Sequence, residues 1–195
     1  MLLQRARTVF EQRGYGAASV ADIVNAAGVA RGTFYVHFKS KREILIALMR
    51  AVREELVAGQ MRPLTGSRTV AEAVRHGIEQ YLKAYRTSAR MISIIEVTAS
   101  SDRVVRTAWL ETRDALLANT VHALDRLQEL GLARFEGSTR TVALALGAMV
   151  ERMGTIRYAL GYRFNDEELL TTLTSAYLNA ARIDGTHRLV PLTPT

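Results

Sequence analysis

An all-α fold is what this 195-residue sequence predicts, and three observations carry that expectation. Its prolines fall at Pro63, Pro191 and Pro194, so residues 64–190 hold none of the residue that breaks helix interiors. Apolar residues recur at three- and four-residue spacing along most of the chain. No stretch alternates apolar with polar as a half-buried strand would. With 48% apolar and 23% charged residues, the composition excludes a disordered or fibrous chain and suffices for a packed core.

The elements follow in order. Leu2, Leu3, Ala6, Val9 and Phe10 mark a first helix over about 2–13, which Gly14 stops. Ser19 and Asp22 stand at capping-box spacing and open a second helix, about 19–26, that buries Val20, Ile23 and Val24. Gly28 suits a left-handed turn. A short third helix, about 30–37, turns Phe34 and Phe38 inward, and a fourth runs from Lys41 to about 59 on Ile44, Leu45, Leu48, Val52 and Leu56. Residues 61–67, with Pro63 and Gly66, read as a linker. Longer helices are expected over about 69–86, 89–99, 102–130, 138–161 and 166–183, punctuated by Gly131, Gly137 and Gly161. That makes about nine helices, with an irregular tail from Gly185. A small domain over 1–45 and a larger one over 46–195 are expected, joined by the helix at about 41–59.

Several classes of function are disfavoured. Without cysteine there is no disulfide framework, thiol nucleophile or thiolate metal site, which fits a cytoplasmic protein. The longest apolar run, Val142 to Val150, is far short of the roughly 20 residues of a membrane span, and the N-terminus has no signal-peptide pattern. His37, His76, His122 and His187 lack metal-ligand spacing. Adjacent carboxylates at Glu54-Glu55 and Glu167-Glu168 point apart on a helix, and no phosphate loop or nucleophile elbow is present. No enzyme, cofactor or metal site is expected.

Charge points elsewhere. The first 50 residues carry eight Lys/Arg against three acidic residues, and the remainder eighteen against sixteen. A basic end on a nearly neutral body suits an anionic partner. In that end, two short helices around a glycine turn form a helix-turn-helix pattern, whose second helix can enter a DNA major groove. With Phe34 and Phe38 inward, Arg31, Thr33, Val36 and His37 are left outward, and Gly32 lets the backbone approach. A brace for an ordinary α-helical domain is the competing reading of the same pattern.

Over residues 2–50 the sequence resembles the tetracycline-repressor (TetR) family of transcriptional regulators. The resemblance rests on Leu2-Leu3, Phe10, Gly14-Tyr15 and Ser19-Val20-x-Asp22-Ile23. Stronger still are Ala27-Gly28-Val29 and Gly32-x-Phe34-Tyr35-x-His37-Phe38-x-Ser40-Lys41-x-x-Ile44-Leu45. It implies that Arg31, Gly32, Thr33 and Val36 face base edges, and that Tyr35, His37 and Lys41 hold phosphates, with Ser19 as a further phosphate contact. Many members carry a basic extension ahead of the first helix; here the helical pattern begins at Met1.

The resemblance further implies a homodimer on a palindromic double-stranded DNA operator, acting as a repressor that an effector releases. An activator, or a DNA-binding dimer without an effector, is the alternative. Tyr81, Tyr85, Met91 and Ile95, then Trp109, Met149, Arg152 and Met153, are the candidates for lining a site for a small lipophilic or aromatic effector, against plain core. Leu144, Leu146, Gly147, Val150, Leu169, Leu173, Ala176, Tyr177 and Ala180 are divided between dimer interface and intrachain core.

Overall fold

The computed structural model describes residues 1–60 and 68–189, so the expected linker at 61–67 and the two C-terminal prolines lie outside the described residues. Eight α-helices are present among the described residues: α1 (Leu2–Ala17), α2 (Val20–Ala27), α3 (Arg31–His37), α4 (Lys41–Gln60), α5 (Val70–Ser101), α6 (Arg103–Glu129), α7 (Thr139–Gly154) and α8 (Asp166–Ala180). A π-helical turn, Thr155–Ala159, follows α7. The fold is all-α, as the helical spacing requires.

Three details depart from the sequence reading. The separate helices expected at 69–86 and 89–99 are one continuous α5. Hydroxyls around the expected break bond elsewhere than to the ladder's N–H groups: Thr87 donates to the Ala84 carbonyl at 2.7 Å, and Ser88 bonds across to another helix. The helix expected over 138–161 ends at Gly154 and continues as the π turn, where Thr155 Oγ1 donates to the Glu151 carbonyl. The tail from Gly185 is not wholly irregular: β2 (Arg188–Leu189) pairs antiparallel with β1 (Arg68–Thr69). The carbonyls of His187 and Gly185 also accept from Val70 N and Ala71 N, donors that the first turn of α5 cannot satisfy internally.

The chain divides into two compact units, one of Met1–Glu55 with Ser88–Asp114, the other of Leu56–Thr87 with Ala115 onward. Residues 88–114 therefore group with the N-terminal helices, across the division expected at residue 45.

In the first unit, Ala6, Val9 and Phe10 of α1, Ile23 and Val24 of α2, Phe34 of α3, and Ile44, Leu45 and Leu48 of α4 are buried. Phe38 is half-buried against Phe34, with ring centroids 5.8 Å apart. Polar clamps tie the helices together. Arg7 donates to Glu11 at 3.1 Å, Glu55 at 3.2 Å and Ser88 at 3.0 Å, while the Ser88 hydroxyl donates to Glu55. Arg42 donates to Asp102 at 2.7 Å, and the same carboxylate accepts from Val104 N and Val105 N at the start of α6.

In the second unit, Ile78 and Leu82 of α5, Val150 of α7, and Leu169, Leu170 and Leu173 of α8 form one apolar cluster. Val70, Leu117, Leu124, Ala143, Leu146, Ala181 and Ile183 belong to another. Of the positions divided between interface and core, Leu146, Val150, Leu169 and Leu173 are thus core, whereas Leu144 and Ala180 are exposed.

Candidate nucleic-acid interface

Local chemistry fixes the reading helix in three steps. Ser19 caps α2: its Oγ accepts from Asp22 N at 3.1 Å, and the Asp22 carboxylate accepts from Ser19 N at 2.8 Å. This satisfies two helix-end donors reciprocally. Gly28 then ends α2 at φ 66°, ψ 33°, a left-handed conformation that costs any residue with a β-carbon about 1–2 kcal/mol. Finally, Phe34 is fully buried and anchors α3, with Tyr35 packed edge-on to it at 5.4 Å.

With Phe34 inward, Arg31, Gly32, Thr33, Tyr35, Val36 and His37 are exposed together. Val36 is 79% exposed, a β-branched apolar side chain presented to solvent beside polar neighbours. The Arg31 guanidinium lies 5.8 Å from the Tyr35 ring centroid and 3.5 Å from its hydroxyl. That contact stacks the two side chains along the outer face of α3. The helix carries no acidic residue.

Two expected phosphate ligands are otherwise engaged. Ser19 Oγ donates to Asp22 Oδ2 at 2.6 Å, and Arg13 pairs with Asp22 at 2.7 Å. Those hydrogen bonds, led by Ser19's, hold the Asp22 carboxyl below its ordinary value, so the first turn of α2 carries a negative charge. A phosphate would reach Ser19 only by displacing that carboxylate. Lys41 spends its ammonium on the end of α1, donating to the carbonyls of Tyr15 at 2.7 Å, Gly16 at 3.3 Å and Ala18 at 2.7 Å.

Lys39 belongs to the same basic cluster, though the helix-turn-helix pattern does not single it out. It is exposed in the turn between α3 and α4, while its backbone N–H donates to Glu43. The cluster's charge count was the signal that could have singled it out.

The residues expected around an effector fall in both units. Tyr81, Met149 and Met153, with Tyr158, are partly buried against the Leu169–Leu173 cluster. Tyr85 is fully buried nearby in the chain, its hydroxyl 2.8 Å from Thr155 Oγ1. Its ring explains Gly154: a β-carbon there would stand 3.1 Å from the ring. Met91, Ile95 and Trp109 are buried in the first unit. Arg152 is exposed. Tyr177, considered from sequence only as interface or core, packs against both clusters of the second unit, and burial pushes its phenol up to about 12.

A capped helix, a left-handed glycine turn and a second helix with its outer face exposed form a helix-turn-helix, the arrangement whose second helix can lie in a DNA major groove. Residues 2–48 match the model for bacterial regulatory proteins of the tetR family. The transcriptional activator FasR of Mycolicibacterium smegmatis is 34% identical over 80 residues, which cover 41% of this chain and 36% of FasR. The chain spans about a third of the length of FasR and of two Bacillus subtilis regulators it also matches. The regulator EthR of Mycobacterium tuberculosis is 26% identical over 153 residues, 77% of this chain and 71% of EthR. Among solved structures, FadR from Bacillus halodurans superposes with a TM-score of 0.75 at 22% identity, covering 93% of this chain and 95% of that one. Salmonella enterica GusR gives 0.78 at 19% identity, covering 93% of each. Residues 2–48 therefore carry the N-terminal domain of the tetR family of bacterial regulatory proteins, and the fold of the chain is the one those solved structures share.

No described helix is long and apolar enough to cross a membrane.

Proposed function

We propose that the protein is a homodimeric one-component repressor. Its two α3 helices enter the major groove of a palindromic operator about one helical turn apart, and a small, mainly apolar effector releases it. The observation that carries the reading is the outer face of α3, where Arg31, Thr33 and Val36 stand exposed around one buried anchor. Arg31 leaves Tyr35 to bond guanine in bidentate fashion, while Val36 and the Thr33 methyl meet thymine methyls. Gly32 allows close approach of the backbone. Tyr35, His37 and the added candidate Lys39 hold phosphates, which fix register without reading sequence.

Dimerisation is supported by the outer faces of α7 and α8. Leu144, Ala145 and Ala148 are exposed on one side of α7, and Thr172, Ser175 and Asn179 on one side of α8. Small side chains at three- and four-residue spacing let two helix pairs approach closely. The effector reading draws on Tyr81, Met149 and Met153, partly buried together in the second unit. Thioether and aromatic side chains adapt to an irregular apolar guest.

Selection of duplexes from a random pool, followed by footprinting and sedimentation, tests this reading. A protected palindrome bound by two chains is expected, with protection lost on adding one member of a lipophilic panel. Failure to enrich any sequence contradicts DNA readout, and protection unchanged by every compound leaves the dimer without an effector of that class. An activator is the second reading, favoured by the description of FasR; a promoter reporter with the gene deleted separates the signs.

A further inference from the structure

The resemblance places Lys41 among the phosphate ligands, but the geometry points to a different role: Lys41 is a positioning residue that clamps the α1–α2 corner to the first turn of α4 and so sets the angle at which α2 and α3 meet DNA.

An ammonium has three donors and no acceptor. Three carbonyls surround this one, those of Tyr15, Gly16 and Ala18, leaving no N–H for a phosphate oxygen. The Tyr15 ring closes a further side, its centroid 4.5 Å from Nζ. The three carbonyls lie just after Gly14, whose φ of 76° breaks α1, and Ala18 directly precedes the Ser19 cap of α2. A helix C-terminus presents unsatisfied carbonyls and partial negative charge, so a partly buried cation there completes bonds that the backbone cannot. Partial burial holds the Lys41 ammonium below its ordinary value, consistent with its partial removal from water.

The position of Lys41 in the chain gives the clamp its consequence. It is the first residue of α4, four residues beyond the end of α3. Its neighbour Arg42 pairs with Asp102, which caps α6. The start of α4 is thereby held to α1 on one side and to the α5–α6 corner on the other, all within one compact unit. Moving the α1–α2 corner moves the N-terminus of α2, and α3 follows through the Gly28 turn.

The test compares Lys41→Met and Lys41→Arg with the wild type. A duplex enriched from a random pool by the wild type and a scrambled duplex serve as probes. Binding is followed by fluorescence anisotropy over a salt series, at a temperature where circular dichroism shows each variant folded. For Lys41→Met the expected result is about a tenfold or larger loss on the enriched duplex and little change on the scrambled one, a fall in specificity rather than in charge-driven binding. The slope of log affinity against log salt stays that of the wild type. Lys41→Arg keeps the charge but cannot converge a planar fork on three carbonyls, so it does not restore the enriched-site affinity. A slope reduced by about 0.9 with equal losses on both duplexes means a phosphate ligand and overturns the proposal. So does full rescue by arginine, or affinity unchanged in both folded variants. If Lys41→Met does not fold, Lys41→Arg decides: wild-type affinity contradicts the clamp, and selective loss on the enriched duplex supports it.

Discussion

Replacing Ser88 with Ala removes one hydroxyl and should loosen three helices at once. The Ser88 side chain is fully buried, accepts from Arg7 at 3.0 Å and donates to Glu55 at 2.5 Å. Hydrogen bonds to charged groups contribute about 1.5–3 kcal/mol each when water cannot replace them. Glu55 retains 43% of its side-chain exposure and Arg7 22%, so water recovers part of both. The direct Arg7–Glu55 and Arg7–Glu11 pairs also survive. The net cost is therefore about 1–2 kcal/mol, which for a chain of this length lowers Tm by about 3–6 °C. Thermal unfolding by circular dichroism measures it, and a double-mutant cycle with Arg7→Met isolates the coupling. The reasoning predicts a coupling near 1 kcal/mol; additivity within about 0.3 kcal/mol would refute it.

Gly28→Ala should destabilise by about 1–2 kcal/mol and weaken operator binding, because alanine at φ 66° strains the turn that orients α3; urea unfolding gives the first and anisotropy the second. Ser19→Ala should cost about 1 kcal/mol through loss of the α2 cap, read by the same denaturation curve. Asp22 contributes its share of stability fully above the ordinary aspartate range, since its folded value is lowered; that share is lost as the pH falls through the folded value. The wild type should therefore lose stability more steeply than Asp22→Asn across the acid range, as parallel acid titrations would show. Tyr85→Phe removes the buried bond to Thr155 and should lower stability by about 1 kcal/mol, leaving DNA affinity unchanged in the folded protein.

The parts of this molecule governed by neighbours in sequence were legible in it. The Ser19–Asp22 cap, the Gly28 turn and the inward Phe34 depend on spacings of a few residues, and each stands where periodicity puts it. Contacts across long sequence separations were not legible. Nothing in the string places the ammonium of Lys41 on carbonyls 23 to 26 residues earlier, or Ser88 between Arg7 and Glu55. The same contact lies where α5 runs on through Thr87-Ser88, between the two helices expected at 69–86 and 89–99. The exposed Arg152 shows the same limit: an arginine beside an apolar run faces either way, and only the packing of α7 decides. Tyr177 is the converse, a phenol whose burial comes from two clusters built by distant segments.

Reading of bases by the outer face of α3 is the central claim, and Arg31→Ala tests it most directly. Anisotropy titrations should compare wild type and variant on the enriched duplex and on duplexes substituted at each position. Arg31→Ala should bind more weakly, by about 1–3 kcal/mol, and lose its preference for guanine at one position in each half-site while keeping the others. Equal weakening at every sequence, with the preference intact, would contradict the account.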